Sequence, residues 1–208
     1  MTDAAPQQLP RGRHRLSREE VEQSQRSRMQ LALASAMAEK GYVGTSVADV
    51  LKRAGVGRET FYQQFSSKLD CFMSAFDVAG EMLLGQLEQA TKDAEGTPLE
   101  RFDHALSAYL DILAEQPAFA RVFLVEVYAA GPEAIARRAT LQDRIVDRMA
   151  DLLGASTRDD RFACQVLVAA VSFMVTGPVV AQDAKALRGL RTKIVALVER
   201  AIDLAAGD

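Results

Sequence analysis

A short stretch in the first third of the chain, AGVGRETFYQQF at residues 54–65, mixes charged, amide and aromatic side chains after a Gly-Val-Gly turn. Phe61 and Phe65 are four residues apart, so they share one face of a helix that turns about 100° per residue. The polar side chains on the other faces are those of Arg58, Glu59, Thr60, Tyr62 and Gln63. Side chains of these types form the hydrogen bonds that read base edges and contact phosphates, which indicates a nucleic-acid-binding helix.

Such a helix needs support from its neighbours, because isolated helices shorter than about 12–15 residues are only marginally stable. Two apolar helical patterns precede it: one covers residues 29–37 and stops at Gly41, and the next stops at Gly55. Two helices joined by a three-residue turn that contains glycine have the spacing of a helix-turn-helix unit. We therefore expect Phe61 and Phe65 to pack inward and the opposite side of the helix to be free.

The segment GYVGTSVADVLKRAGVGRETFYQQFSSKLDCF, residues 41–72, resembles the DNA-binding region of the TetR (tetracycline-repressor) family of bacterial transcriptional regulators. The shared features are Gly-Tyr after the first helix, Thr-Ser before the second, Ala-Gly-Val in the turn, Thr-Phe-Tyr in the third helix and Phe-x-x-Lys before the fourth. The resemblance implies an all-α homodimer with a C-terminal ligand-binding and dimerisation domain, and in most cases a repressor.

The resemblance also assigns roles to individual residues of the N-terminal region. It implies phosphate contacts for Thr45, Tyr62 and Lys68, and a position against the groove of DNA for Arg58, Glu59, Thr60 and Gln63. Some family members have glycine where Glu59 stands. Its carboxylate could accept from a cytosine amino group, pair with Arg58 or act against other bases, and the sequence leaves these alternatives open.

The charge of the chain is unevenly distributed. Residues 1–70 have a net charge of +3 and residues 71–208 a net charge of −6, which gives −3 in total. The basic first third can favour phosphate while the acidic remainder favours solubility. Residues 1–16 lack periodicity and contain the run RGRHR at residues 11–15, so we predict a disordered basic arm. It is either a solvated tail or an electrostatic arm along DNA.

Several function classes have no support in the sequence. The longest apolar run, QVLVAAVSFMVTGPVV, contains Gln165 and ends at Gly177-Pro178, so no membrane span is predicted. Neither histidine has a neighbour at metal-ligand spacing, and no catalytic set or phosphate-binding glycine loop appears. We therefore expect no metal, no cofactor and no enzymatic activity. The arginine-rich N-terminus is not a secretory signal, which favours a cytoplasmic protein.

The pattern after residue 66 remains helical and predicts a second domain. The predicted fold is all-α with about nine helices, divided into an arm (1–16), a helix-turn-helix domain (17–66) and an effector-binding and dimerisation domain (67–208). In the last helix, apolar residues recur at spacings of three and four: Leu187, Leu190, Ile194, Leu197, Ala201 and Leu204. Such a seam suits a partner helix, or the core of its own domain. With the family resemblance, we read the last two helices as half of a four-helix dimer interface.

Candidate ligand contacts in this second domain are Phe102, Tyr109, Phe123, Glu126 and Phe173. The aromatic side chains could line a cavity or fill the core. Glu126 lies in the apolar run AFARVFLVEVYAA, where a carboxylate must be exposed, paired or directed at a polar ligand group. Arg121 is five residues earlier and about 140° away around an α-helix, so we expect no ion pair between them.

Taken together, these features predict a transcriptional repressor that binds a palindromic operator in double-stranded DNA as a homodimer. A small apolar or amphipathic effector is expected to release it. The alternative is a DNA-binding structural or interaction protein that has no effector.

Overall fold

The computed structural model describes residues 17–92 and 95–206, with side chains up to residue 201. These residues form helices and no strand, which confirms the all-α prediction. The helices are α1 (Arg18–Gly44), α2 (Val47–Ala54), α3 (Arg58–Gln64), α4 (Lys68–Thr91), α5 (Pro98–Glu115), α6 (Pro117–Arg121), a π-helical segment (Val122–Glu126), α7 (Val127–Ala130), α8 (Pro132–Leu153), α9 (Arg158–Ala181) and α10 (Ala184–Ala206). Since α6, the π-helical segment and α7 follow one another without a break, the described residues form nine separate helices.

The chain divides into two compact units, Met1–Ala75 and Phe76–Asp208. The division falls inside α4, whereas the sequence predicts a boundary at residue 66, before this helix begins. Residues 1–16, where a disordered arm is predicted, lie outside the described residues.

Local sequence signals explain where four of the described helices begin. Four helices start with a capping box, in which the N-cap hydroxyl and an acidic side chain three residues later bind each other's backbone N–H groups. The pairs are Ser17–Glu20, Ser46–Asp49, Thr97–Glu100 and Thr157–Asp160. Removing one such cap costs about 1 kcal/mol, so the helix starts are strongly specified by the sequence.

Glycine sets two of the turns in the first unit. Gly55 ends α2 with φ 63° and ψ 40°, a left-handed conformation that glycine adopts without steric cost. Gly41 has φ 71° and ψ 169° and interrupts α1, which then continues for a short turn to Gly44. The sequence correctly predicts the break at Gly41, and the structure shows a kink there.

The core of the first unit is built from α1, α2, α3 and the start of α4. Its large buried side chains are Met29, Leu33, Met37, Val50, Phe61, Phe65 and Phe72. Phe61 and Phe65 are 0% and 1% exposed, which confirms their predicted inward orientation.

The second unit has its largest core where α5, α9 and α10 meet. Its buried members include Phe102, Leu106, Leu110, Val171, Val175, Leu187 and Ile194. Leu187 and Ile194 are each 2% exposed, whereas Leu197, on the same stripe, is 54% exposed. Part of the apolar seam of α10 therefore packs in its own domain, and part remains uncovered in the single chain.

One face of α9 is apolar and exposed. Its uncovered side chains include Phe162, Val166, Phe173, Met174 and Val180. Among the described residues α9 is the one helix that is long and apolar enough to span a membrane. Its most apolar 18-residue stretch has a mean hydropathy of 1.9, and 28% of that stretch is buried. This rests on length and composition alone and is weak support for a span, because core helices of soluble proteins meet the same criteria.

The expectation about Arg121 and Glu126 is wrong, because the helix between them is not an α-helix. Residues Val122–Glu126 are π-helical, and π-helical hydrogen bonds join residues five apart, not four. This geometry brings the two side chains together, and Arg121 Nε donates to Glu126 Oε1 at 2.9 Å. The Glu126 side chain is only 6% exposed and that of Arg121 26% exposed. Glu126 thus has a charged partner inside the protein.

We expect the Arg121–Glu126 pair to couple energetically. Arg121→Met should lower the free energy of unfolding by about 3 kcal/mol, because it leaves a nearly buried carboxylate without this cation. The double variant with Arg121→Met and Glu126→Met should be less destabilised than the Arg121→Met single variant. Urea unfolding of the wild type, both single variants and the double variant measures the coupling. Strict additivity of the two single effects would contradict it.

Candidate DNA-binding surface and effector cavity

The turn between α2 and α3 is fixed by the backbone. Val56 N donates to Leu51 O at 3.2 Å, beyond the left-handed Gly55, and Phe61 N donates to Gly57 O at 3.2 Å at the start of α3. The rings of Phe61 and Phe65 lie 5.6 Å apart and anchor the inner side of α3. With that side fixed, the direction in which each polar position of this seven-residue helix faces follows from the helical turn.

Arg26 of α1 stabilises the other end of α3. Its Nη1 donates to Gln64 O at 3.0 Å, and its guanidinium carbon lies 4.3 Å from the centre of the Phe65 ring. Its Nη2 donates to Ser74 Oγ of α4 at 2.7 Å. A cation at a helix C-terminus satisfies free carbonyls and opposes the negative end of the helix dipole. Arg26 therefore holds the helix that carries the exposed polar residues.

The sequence interpretation missed Arg26, although a signal exists. Arg26 precedes Met29 by three residues and Leu33 by seven, which places it on the apolar face of α1. A cation on such a face needs an acceptor inside the protein. Arg28 is a second example, because its Nη1 donates to Ala54 O at the C-terminus of α2 at 3.0 Å.

Lys68 and Thr45 meet where α1 ends and α4 begins. Lys68 Nζ donates to Tyr42 O and to Thr45 O, both at 2.8 Å, and lies 4.0 Å from the centre of the Tyr42 ring. Partial burial lowers the pKa of Lys68. Thr45 is 2% exposed, and its hydroxyl donates to Gly41 O at 2.8 Å. Two hydrogen bonds and the ring contact of Lys68 therefore hold this corner.

The remaining predicted DNA contacts lie together on α3. Arg58, Glu59 and Gln63 are exposed, Tyr62 is 49% exposed and Thr60 is half-buried. Gln63 Nε2 donates to Glu59 Oε1 at 3.4 Å. Glu59 therefore contacts Gln63 in the free protein, and Arg58 forms no ion pair with any residue that the structure describes. The exposed side of α3 thus presents the cation of Arg58, unpaired among the described residues, beside neutral and acidic hydrogen-bonding groups.

The second unit contains a cavity of about 520 Å³ between α4, α5, α8 and α9. Most of its wall is apolar: Leu84, Leu87, Phe102, Ala105, Leu106, Tyr109, Ile145, Met149, Leu152, Leu167, Val168 and Val171. Its polar and charged lining residues are Glu88, Thr91, Arg101, Gln142, Arg148, Asp151 and Ser172. A cavity of this volume, with few polar groups in an apolar wall, has the character of a small-molecule site.

A second cavity of about 60 Å³ lies next to the first and shares Tyr109, Gln142, Ile145 and Ser172 with it. Of the predicted ligand contacts, Phe102 lines the larger cavity, Phe123 the smaller one and Tyr109 both. Glu126 and Phe173 line neither, and Phe173 is 83% exposed on α9. The structure thus brings three of the five candidates to the cavities.

Comparison with known protein families finds a match within each of the two units. Residues 32–75 match the family model for bacterial regulatory proteins of the tetR family. Residues 95–181 match the model for the C-terminal domain of tetracyclin-repressor-like proteins. The chain belongs to the TetR family of transcriptional regulators.

Individual relatives of this TetR-family regulator are distant in sequence. The HTH-type transcriptional activator FasR of Mycolicibacterium smegmatis is 24% identical over 140 residues, which cover 67% of this chain and 62% of that protein. The match thus spans about three fifths of the relative's length. FadR of Bacillus halodurans, a fatty acid degradation regulator, has a TM-score of 0.74 and 20% identity over 83% of this chain and 93% of its own. FadR of Bacillus subtilis, solved with stearoyl-CoA, has a TM-score of 0.68 and 22% identity. The match covers 82% of this chain and 96% of that one. At these identities the solved structures establish the fold.

In this TetR-family regulator, substitutions on α3 should separate affinity from specificity. Tyr62→Phe removes one exposed hydroxyl, so we expect binding to all DNA sequences to weaken about equally, by about 1 kcal/mol. Arg58→Ala should cost about 1–3 kcal/mol at one base pair of each half-site if the guanidinium binds a guanine. Competition binding with a panel of singly substituted duplexes distinguishes the two patterns. A uniform loss for Arg58→Ala would instead make Arg58 a phosphate contact.

Proposed function

We propose that the protein is a ligand-responsive repressor that binds a palindromic operator as a homodimer and is released by an amphipathic effector. The observation that carries this proposal is the presence, in one chain, of an exposed polar helix in a helix-turn-helix unit and an apolar cavity of about 520 Å³. The site of action would be the cytoplasm, where bacterial DNA lies.

The exposed face of α9 supports a dimer. Phe162, Val166, Phe173 and Val180 are spaced by four, seven and seven residues, so they form one stripe, and they are 64%, 53%, 83% and 48% exposed. Leu197 of α10 is also exposed. Contiguous apolar surface of this kind usually marks an interface. Because a two-fold axis brings the same surface of two copies together, a second copy of the chain would cover the stripe.

The dimer can be tested with one substitution in this stripe. The wild type should sediment near twice its chain mass of 22.6 kDa. Phe173→Glu should sediment as a folded monomer, because the position is exposed in the single chain and its carboxylate would be buried unpaired in the dimer. Ile135→Glu is the control, since Ile135 is 43% exposed on α8, outside the stripe. A wild type that is monomeric at micromolar concentration would rule the dimer out.

The cavity supports an effector with a long apolar part. Its volume lies within the range of about 300–1,000 Å³ that is typical of small-molecule sites. The B. subtilis FadR structure contains stearoyl-CoA, which has a long acyl chain. We infer a long-chain acyl compound as the effector of this protein, with its chain in the cavity.

The connection to DNA would run through α4. This helix carries Lys68 at its start and, about four to six turns later, Leu84, Leu87 and Thr91 on the cavity wall. An effector that requires a different position of α4 would change the geometry of the two DNA-binding units in the dimer. Only a difference in effector affinity between the two conformations can drive such a change.

Reciprocity between the two sites is the decisive test of the proposed function. Selection on random duplex DNA with the purified protein should first recover a palindrome. Saturating amounts of that operator should then weaken the binding of a long-chain acyl effector, by about 5–150-fold, as linkage requires. Calorimetric titration with and without the operator measures this factor. Equal affinities would favour the alternative, a DNA-binding structural or interaction protein that does not respond to an effector.

A further inference from the structure

Arg138 of α8 differs from its neighbours on the same helix because it is not paired with a carboxylate of the residues that the structure describes. Three other arginines of α8 form ion pairs with acidic residues of α4: Arg137 with Asp77, Arg144 with Glu81 and Arg148 with Glu88. Arg138 forms no ion pair with any residue in the described part of the chain. Its charge is therefore available to a partner that the protein does not supply.

The immediate surroundings of Arg138 are polar but neutral. Its Nη1 donates to Gln142 Oε1 at 2.7 Å, and its Nη2 donates to Ser172 Oγ at 3.1 Å. The guanidinium carbon lies 5.3 Å from the centre of the Tyr128 ring. Arg138 is half-buried and lines the smaller cavity. Because a guanidinium has five N–H donors and these two bonds use two of them, three donors remain.

Arg138 lies beside the junction of the two cavities. Gln142 and Ser172, which accept its hydrogen bonds, line both cavities, as does Tyr109. From Gln142, the larger cavity extends along α8 to Leu152, ten residues or about 15 Å of helix. A ligand in the larger cavity can therefore have one end beside Gln142 and Ser172, which bind Arg138, and its chain along the apolar wall.

Tyr109 adds a second donor at this junction. Its hydroxyl forms no hydrogen bond with another described residue. Burial raises the pKa of Tyr109 to about 12, although the charge of Arg138 acts in the opposite direction. Tyr109 is consequently protonated at neutral pH and can donate its hydroxyl hydrogen to an anion.

We propose that Arg138 and Tyr109 form a carboxylate-binding site for the effector, so that the effector is an unesterified long-chain carboxylic acid. This inference rests on the proposed function and specifies its ligand. A planar guanidinium binds a carboxylate through charge-assisted hydrogen bonds, with Gln142 and Ser172 holding its orientation. A carboxylate enters an apolar cavity only if it is paired there, and Arg138 provides that pairing. An ester or a thioester has no negative charge on its acyl oxygens, so it gains no ion pair from Arg138.

The head-group preference of the wild type tests the proposal without any substitution. Isothermal titration of the delipidated protein should compare dodecanoate, methyl dodecanoate and dodecanoyl-CoA, each below its micellar concentration. We expect dodecanoate to bind roughly 10- to 100-fold more tightly than the methyl ester, the range for hydrogen bonds to a charged group. Equal affinities of the acid and the ester would overturn the carboxylate site, and so would tighter binding of the thioester than of the acid.

Variants identify the residues that carry this preference. Arg138→Met keeps the apolar stem and should remove the preference for the acid, while the methyl ester binds as it does to the wild type. Arg138→Lys should retain part of the preference because it keeps the charge. Tyr109→Phe should weaken the binding of the acid and leave the binding of the methyl ester unchanged. Arg137→Met is the matched control, since Arg137 is exposed, pairs with Asp77 and lines neither cavity.

The outcomes separate this inference from the proposed function. An equal loss of affinity for the acid and the ester in the Arg138→Met variant would show that Arg138 has a structural role, and it would overturn the inference. Binding of all three compounds irrespective of head group would also overturn it, while the proposed acyl effector would stand. Failure of all three to bind the wild type would overturn both the carboxylate site and the acyl effector.

Discussion

The DNA-binding unit depends on the burial of one edge of a seven-residue helix. A helix this short does not form by itself, because the cost of nucleation is not recovered over two turns. Phe61 and Phe65 place α3 against α1 and α2, and Arg26 binds the carbonyl at its end and stacks on Phe65. The exposed positions of Arg58, Tyr62 and Gln63 follow from these contacts.

The same physical rule, that a charge inside a protein needs a partner, gives opposite results at two places in the second unit. Glu126 is nearly buried and is paired with Arg121, so its presence in an apolar helix has a structural explanation. Arg138 is half-buried beside a cavity and contacts only neutral groups among the described residues. The partner accounts for the Glu126 carboxylate, whereas the lack of an anionic partner for Arg138 among the described residues is the basis of the proposed ligand site.

The surface of α9 shows how composition alone misleads. Its length and hydropathy meet the criteria for a membrane span, yet its apolar residues fall into two groups. Val168, Val171, Val175 and Val179 pack inside the second unit, and Phe162, Val166, Phe173 and Val180 are exposed on one stripe. Phe173 is the clearest case, since a pattern of aromatic residues suggests a cavity and the structure places it on the outer surface. The proposed partner helix would account for both the hydropathy and the exposure.

The sequence by itself determined the all-α fold, the helix starts with capping boxes and the helix-turn-helix unit, because these depend on local signals. Capping boxes such as Ser46–Asp49, the left-handed Gly55 and the spacing of Phe61 and Phe65 act within a few residues and can be read directly. Only the tertiary structure decided the partners of Arg121 and Arg138. The π-helical segment breaks the 100° rule on which the expectation for Arg121 depended, and Arg138 is distinguished by carboxylates on α4 that bind its neighbours. Ion pairing and cavities join residues that are distant in sequence, so their chemistry is fixed only when the helices pack.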